Sequence, residues 1–332
     1  MKAILLTRTG DPSVLDYVEV PTPRPRTGEV LVKADTIGVS RPELLVRNGS
    51  YQWMPPLPAI PGIEMAGTVA ELGADTKGFT VGQKVYVSAR ELPVRAGCYA
   101  EYIAVPSRAL FALPPETDLE AAACLSNYQV AYHIIHTATR GVPGRTVLVQ
   151  PAGGGIGCAA VQLAKLAGMT AIAVVSSAQR ARILSDFGAD HVIDMASEKI
   201  GARVAEITAG VGVDLVLDAL GGSAFTEGFK MLAPFGMAVS YGRMQEPLSA
   251  DLMPALARGS GYLNSGAVRV FTMHTFDDKP PFRAESMNYL IARLAEGKIK
   301  PLIQARLRLK DARRAHEMIE AREVVGKLLL KP

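Results

Sequence analysis

The residues with the plainest chemical purpose are Ala152-Gly153-Gly154-Gly155-Ile156-Gly157. The β-branched run Thr146-Val147-Leu148-Val149-Gln150 leads into them, and apolar residues follow at Ile156, Ala160, Leu163, Ala164 and Ala167, the spacing of one helix face. That pattern reads strand, tight turn, helix. Such a turn aims backbone N–H groups and the positive end of a helix dipole at an anion, and its glycines let a pyrophosphate approach the main chain. Ala152-x-Gly154-x-x-Gly157 is a variant of the Gly-x-Gly-x-x-Gly dinucleotide fingerprint, with alanine in the first place.

Residues after the next strand carry a second signal. Dinucleotide sites for NAD place an acid there to bond the ribose hydroxyls, whereas sites for NADP use small or basic residues that accept the 2′-phosphate. Val174-Val175 is followed by Ser176-Ser177-Ala178-Gln179-Arg180, with no acid from Met169 to Ser185. Ser176 or Ser177 can hydrogen-bond the phosphate and Arg180 can pair with it through its planar fork, so NADPH is the expected cofactor.

The elements that must hold these residues follow from the texture of the chain. Residues 1–119 are rich in Pro, Gly and short β-branched runs such as Glu29-Val30-Leu31-Val32 and Val81-Gly82-Gln83-Lys84-Val85, which predict an irregular β domain with one helix near Arg41 to Asn48. Leu119 to Thr139 is alanine-rich and predicted helical. Over 120–272 strands and helices alternate, with strands at Thr170–Val175, His191–Ile193, Asp214–Asp218 and Met237–Gly242 and a helix at Phe225–Leu232. Such alternation predicts an α/β, doubly wound parallel sheet whose ligand sits at the carboxyl ends of the strands. Residues 273–332 carry helices at 284–297 and 311–321 and close on Lys327-Leu328-Leu329-Leu330, a tail expected to return to the first domain.

Composition narrows the classes. The chain has 332 residues, 48% hydrophobic and 20% charged, with a net charge of +4. Its lysines and arginines are scattered without interleaved aromatics, which speaks against nucleic acid. Three cysteines, Cys98, Cys124 and Cys158, are too few and too odd for a disulfide framework, and each of Cys124 and Cys158 reads as a small helical hydrophobe. Cys98, beside Gly97, is expected on a loop open to modification. The N-terminal apolar run is too short for a signal peptide and no stretch approaches a membrane span, so a cytoplasmic location is expected.

Several spaced motifs now bear on family. Gly38-Val39-Ser40, Arg47-Asn48-Gly49-Ser50-Tyr51, Pro61-Gly62-Ile63-Glu64-Met65-Ala66-Gly67, Ala100-Glu101-Tyr102, the glycine turn, Gly188-Ala189-Asp190 and Gly326-Lys327-Leu328 run in one order along the whole chain. Together they resemble the medium-chain dehydrogenase/reductase superfamily, in its zinc-free, quinone oxidoreductase-like branch. The resemblance implies a GroES-like, β-rich catalytic domain, a Rossmann domain and a returning C-terminal segment. It also implies a homodimer, joined through the last Rossmann strand near Gly266 to Thr272.

The zinc alcohol dehydrogenases of that superfamily carry Cys where this chain has Ser40 and His where it has Ile63. A hydroxyl and an isoleucine cannot complete a three-ligand catalytic zinc site, and the four-cysteine structural lobe is missing as well, so no metal is expected. His133 and His136, three apart on one helix, have no third ligand near them in sequence and read as packing.

Without a metal to polarise a carbonyl, hydride must go to an acceptor that is already electron-poor, a quinone or an α,β-unsaturated carbonyl. Tyr51 resembles a tyrosine that follows a Gly-Asn pair in the related 2-enoyl thioester reductases, and is the lead candidate for hydrogen-bond donor or proton source, or for a wall of the substrate cleft. Ser40 and Arg41 stand where the zinc enzymes hold their metal. Asn127 and Arg243 are candidate substrate contacts, and Tyr241, Gly242 and Lys327 candidate cofactor contacts, although a tail lysine is usually solvated. Two alternatives accompany the quinone or enone reductase: a 2-enoyl thioester reductase, and a nucleotide-binding regulatory or structural protein with little turnover. The alkene readings need donors for a developing enolate oxygen and a proton for the α-carbon.

Overall fold

The computed structural model describes residues 1–142, 144–242, 244, 246–258 and 264–332. It divides into two units, one made of Met1–Ser126 with Lys279–Pro332, the other of Asn127–Asp278.

In the first unit the long strand Glu29–Val39 is the hub. It pairs antiparallel with Glu64–Leu72, with Tyr102–Pro106 and with the C-terminal strand Lys327–Lys331, while Lys84–Ser88 pairs with Glu64–Leu72 on its far side. Alternation along the hub leaves Lys33 and Asp35 exposed, and from Thr36 to Ser40 every residue is buried. The core is built of Val30, Val32, Ile37, Met65, Val69, Val85, Leu328 and Leu330 with the helix Ala312–Glu320 set against it through Ala312 and Ala315. Each fully buried aliphatic here contributes about 1.5–3 kcal/mol of apolar burial, enough to fix strand register, since a slip of one residue would turn this set to solvent.

The second unit is a six-stranded sheet in which every pairing is parallel. Its order across the sheet is His191–Asp194, Thr170–Val175, Thr146–Gln150, Val213–Asp218, Leu232–Ser240, Ala267–Val270. By rank in the sequence that is 3-2-1-4-5-6, the doubly wound dinucleotide-binding order, with its switch point between Thr146–Gln150 and Val213–Asp218. The helix Gly155–Leu166 packs through Gly157, Cys158, Ala160, Val161 and Ala164, small residues that let it lie close to the sheet.

Two helical expectations are corrected. The Leu119–Thr139 stretch is three pieces, Leu119–Ala122, Leu125–Tyr132 and a π-helical turn His133–Thr137, because alanine propensity sets no break points and local contacts do. Leu232 closes no helix; the helix ends at Lys230 and Leu232 opens a strand, pairing with Val213 ahead of a bulge that re-enters register at Leu215 and Met237. No described helix is long and apolar enough to cross a membrane.

Candidate functional site

In the second unit the glycine turn joins the first strand of the sheet to the N-terminus of Gly155–Leu166, with Gly154 in extended conformation as its N-cap. Ala152 is fully buried, its N–H donates to the Val174 carbonyl at 2.9 Å, and its φ is not positive, so the first place of the fingerprint does not demand glycine here. A Cβ on Gly157 would stand 2.4 Å from the Pro151 carbonyl oxygen and 2.6 Å from that of Ala152, so the helix meets the turn only because Gly157 has no side chain. The turn thereby leaves orphan N–H groups at the helix start for an anion.

Arg180 reaches this turn. A Cβ built on Gly153 would lie 3.0 Å from Arg180 Nη1, so the half-buried Arg180 sets its guanidinium against Gly153. It is held there by the helix Ala178–Asp186, whose N-cap Ser177 accepts a hydrogen bond from Arg180 N at 3.4 Å. Ser176, just before it, is exposed. The Ser177 hydroxyl proton is not spent on the cap, since a capping serine acts as acceptor. Tyr241 and Gly242, half-buried, follow the fifth strand, where Tyr241 N donates to the Asp218 carbonyl. Arg243 lies outside the described residues.

At the switch point a buried pair went unnoticed in the sequence. Gln150 Nε2 donates to Asp218 Oδ2 at 2.9 Å and to the Ala224 carbonyl at 3.0 Å, while Asp218 Oδ1 accepts from Gly221 N at 2.7 Å. Burial pushes the Asp218 carboxyl up to about 6, with the Gly221 and Gln150 donors pulling the other way. A rise of that size corresponds to about 3 kcal/mol against the ionised form. The folded chain therefore holds more protons than the unfolded one between about pH 4 and pH 6, and this group's contribution to stability falls as pH rises through that window. Subtracting the melting curve of Asp218→Asn from that of the native protein across those pH values should leave a difference that grows toward pH 6 and is flat above it.

In the first unit, strand register gathers residues far apart in sequence. Ile37 pairs with Met65, so Gly38 stands opposite Glu64; Leu328 pairs with Val39, so Lys327 stands opposite Ser40. A Cβ on Gly38 would come within 2.7 Å of Glu64 Oε1, and its absence opens the space the carboxylate fills. Lys327 Nζ donates to Glu64 Oε1 and to Ser40 Oγ, each at 2.5 Å. Ser126 gives Glu64 both its N–H at 3.0 Å and its hydroxyl at 2.5 Å, and the Tyr86 hydroxyl donates to Oε2 at 3.1 Å. Glu64 is 0% exposed, Lys327 3% and Ser40 8%. Burial by itself would lower the Lys327 pKa, and the Glu64 carboxylate outweighs it and holds the ammonium above its ordinary value. Beside them Glu43 accepts the N–H groups of Ser40 and Ile63, and burial pushes its carboxyl up to about 8 against the pull of Lys327. The solvated tail lysine expected from sequence is thus an internal cation.

Ser40 is the N-cap of the helix Arg41–Asn48, and Arg41 at its first turn is exposed. Tyr51 follows the other end of that helix, its N–H bonded to the Leu45 carbonyl at 3.1 Å, its half-buried ring 5.7 Å from that of Trp53. Asn127 is half-buried on the helix Leu125–Tyr132. Cys98 lies on a loop as expected, but it is fully buried, and burial raises its thiol well above the ordinary value, so it offers no thiolate for modification.

Comparison with known proteins now decides the family. Residues 26–115 match the alcohol dehydrogenase GroES-like domain and residues 155–275 the zinc-binding dehydrogenase domain. A quinone oxidoreductase of Pseudomonas aeruginosa is 31% identical over 335 residues, covering 100% of this chain and 99% of the relative. The synaptic vesicle membrane protein VAT-1 homolog of Rattus norvegicus is 30% identical, over 93% of this chain and 78% of the relative. The crystal structure of Escherichia coli quinone oxidoreductase complexed with NADPH superposes with a TM-score of 0.86 at 28% identity, covering 100% of both chains. The chain belongs to the zinc-free, quinone oxidoreductase-like branch of the medium-chain dehydrogenase/reductase superfamily.

For a member of this branch the first unit is telling. The cation against Ser40, the residue that the motif resemblance sets at the cysteine position of the zinc enzymes, is the Lys327 ammonium, tethered to Glu64. Among the described residues no group of three or more His, Cys, Asp or Glu side chains is placed to hold a metal ion. His133 instead bonds Thr137 through Nδ1 at 2.9 Å and packs on Phe276. Glu64, Tyr86, Ser126, Gln150 and Asp218 were not singled out from sequence. The signal available was an acid at the end of an apolar strand, Glu64 at the start of Glu64–Leu72 and Asp218 at the close of Val213–Asp218, which implies a buried partner.

Proposed function

We propose that this protein is a zinc-independent NADPH-dependent reductase that transfers hydride to a quinone or an α,β-unsaturated carbonyl. The observation that carries the reading is the glycine turn with the Arg180 guanidinium against Gly153 and no acid at the end of the second strand. Those residues fit the cofactor: backbone N–H groups at the start of Gly155–Leu166 would take the pyrophosphate, and Ser176, Ser177 and Arg180 the 2′-phosphate. Bound there, NADPH supplies the hydride. The chain's own side chains bind the acceptor and hold donors for the negative charge that develops on its oxygen, with Ser40 and Tyr51 as the candidates. Asn127 and Arg243 are proposed contacts to the acceptor, and Tyr241 and Gly242 remain proposed cofactor contacts; Lys327, buried with its ammonium on Glu64 and Ser40, leaves the cofactor role expected from sequence. The reading includes a cytoplasmic homodimer joined along the edge strand Ala267–Val270.

The test is oxidation of NADPH and of NADH, with EDTA present, against 1,4-benzoquinone, 9,10-phenanthrenequinone, a simple enone and crotonyl-coenzyme A. Turnover of quinones or enones with a preference for NADPH is expected, and Arg180→Glu should erase that preference, lowering kcat/KM for NADPH about 10- to 100-fold, as loss of a charge-assisted pair worth about 1.5–3 kcal/mol requires. Turnover confined to the thioester would replace the reading with a 2-enoyl thioester reductase. Tight NADPH binding with no acceptor reduced would replace it with a nucleotide-binding regulatory or structural protein.

A further inference from the structure

Within the buried cluster of the first unit, the donors are unequally committed. Ser126 spends its hydroxyl proton on Glu64 Oε1 at 2.5 Å and Tyr86 its own on Oε2 at 3.1 Å. Oε1 also accepts from Lys327 at 2.5 Å, so when Ser40 approaches it the separation is 3.4 Å, beyond the 2.5–3.0 Å range typical of a hydroxyl–carboxylate bond. Ser40 Oγ does accept a full bond, from the Lys327 ammonium. A hydroxyl oxygen that accepts from a cation is polarised, and its proton becomes a stronger donor. Ser40 also keeps more exposure than Glu64, Lys327 or Tyr86.

We propose that Ser40 is the catalytic hydrogen-bond donor to the oxygen of the reduced acceptor, that Lys327 is the positioning residue that polarises it, and that Glu64 holds Lys327 in place. The inference rests on the reductase reading for the identity of the ligand. Ser40 keeps its proton throughout: it stabilises negative charge on the acceptor oxygen and transfers nothing. The pair Lys327–Ser40 would then take the electrostatic part that a metal plays at this position in zinc enzymes, with two differences. The charge reaches the acceptor through one hydroxyl, and its magnitude is reduced by Glu64. That suits acceptors whose oxygen becomes an enolate or a phenolate, which need less stabilisation than an alkoxide.

The probe is 4-nitrophenol, a phenol whose ionised form is distinguished by its absorption, titrated into the protein with NADP+ present. The native protein is expected to favour the phenolate in the bound state. Ser40→Ala, which leaves the Lys327–Glu64 pair intact, should weaken phenolate binding at least tenfold and lower kcat for quinone or enone reduction about 100-fold, with the NADPH dissociation constant within twofold. Ser40→Thr should restore both. The doubly neutral Lys327→Gln/Glu64→Gln leaves no unpaired buried charge and should lose the phenolate preference as Ser40→Ala does, with no further loss when the two are combined. A native protein that does not favour the phenolate, or a Ser40→Ala variant that binds it as the native protein does, overturns the inference. If the phenolate response is present and Ser40-dependent but no acceptor is reduced, the donor stands and the reductase reading falls. Reduction at the native kcat by Ser40→Ala does the reverse.

Discussion

Lys327→Met should unfold the first unit at a markedly lower temperature than the native protein, the loss in stability being about 3–5 kcal/mol. The lysine itself contributes little net energy by being paired, because two ions removed from water spend most of their attraction on desolvation. The cost arises from what is left behind. Glu64 is 0% exposed and, among the described residues, Lys327 is the only cation that hydrogen-bonds it, so the variant must either bury an uncompensated carboxylate or protonate it. Ser126 and Tyr86 soften the blow, since their three donors still reach the carboxylate. Thermal melts followed by circular dichroism should show a drop of about 10 °C, at about 2–4 °C per kcal/mol for a domain of this size. Adding Glu64→Gln should recover part of that drop, because a neutral amide oxygen still accepts from Tyr86 and Ser126. Equal stability of Lys327→Met and the native protein would mean that the pair is looser in solution than its 2.5 Å separation implies.

The second large effect separates two glycines three residues apart. Gly157→Val must push backbone against backbone, since its Cβ would stand 2.4 Å from Pro151 O and 2.6 Å from Ala152 O, and neither carbonyl can swing aside as a flexible side chain would. The helix Gly155–Leu166 has to lift from the turn. Overpacking of that kind costs about 1–3 kcal/mol or more, and the proposed NADPH site should lose at least 100-fold in affinity as the N–H groups move off the pyrophosphate. Gly154→Ala is the control. Its Cβ meets nothing within 4 Å and its backbone is in an extended conformation open to alanine, so the melting temperature should stay within a degree or two. If the turn binds a pyrophosphate, that methyl still obstructs it, and NADPH affinity should fall with stability intact. Fluorescence titration with NADPH beside thermal melts of each variant reads both quantities. Unchanged NADPH affinity in both variants would remove the glycine turn from the binding site.

Local patterns in the chain were sufficient for much of this molecule. Strand and helix alternate over 146–240 because each element needs its own apolar period to bury one face, and that period is written in neighbouring residues. The turn at 152–157 announces itself because a close approach of helix to strand tolerates only glycine at Gly157, whatever the rest of the fold does. Absence of an acid between Met169 and Ser185 is likewise a fact of the chain itself. The GroES-like and Rossmann pairing was legible through motifs in order, although the breaks within Leu119–Thr139 and the strand that opens at Leu232 were not, because helix propensity is a weak prior that contacts with the rest of the fold override.

Tertiary structure alone decided what the buried polar residues do. Lys327 looks like a solvated tail residue until antiparallel register sets it opposite Ser40, 287 positions earlier in the chain, and lays Glu64 across the gap at Gly38. Cys98 looks like a loop thiol until Gly62, the N-terminal strand and the core close over it. Gln150 and Asp218 each end a strand that reads as plain sheet, and they meet only because the first and fourth strands are neighbours at the switch point. The physical reason is the same in each case. Apolar burial is set by a residue's own type and by its place in a local period, and so can be read along the chain, whereas the free energy of a buried charge or amide depends on a partner that only long-range register brings within 3 Å.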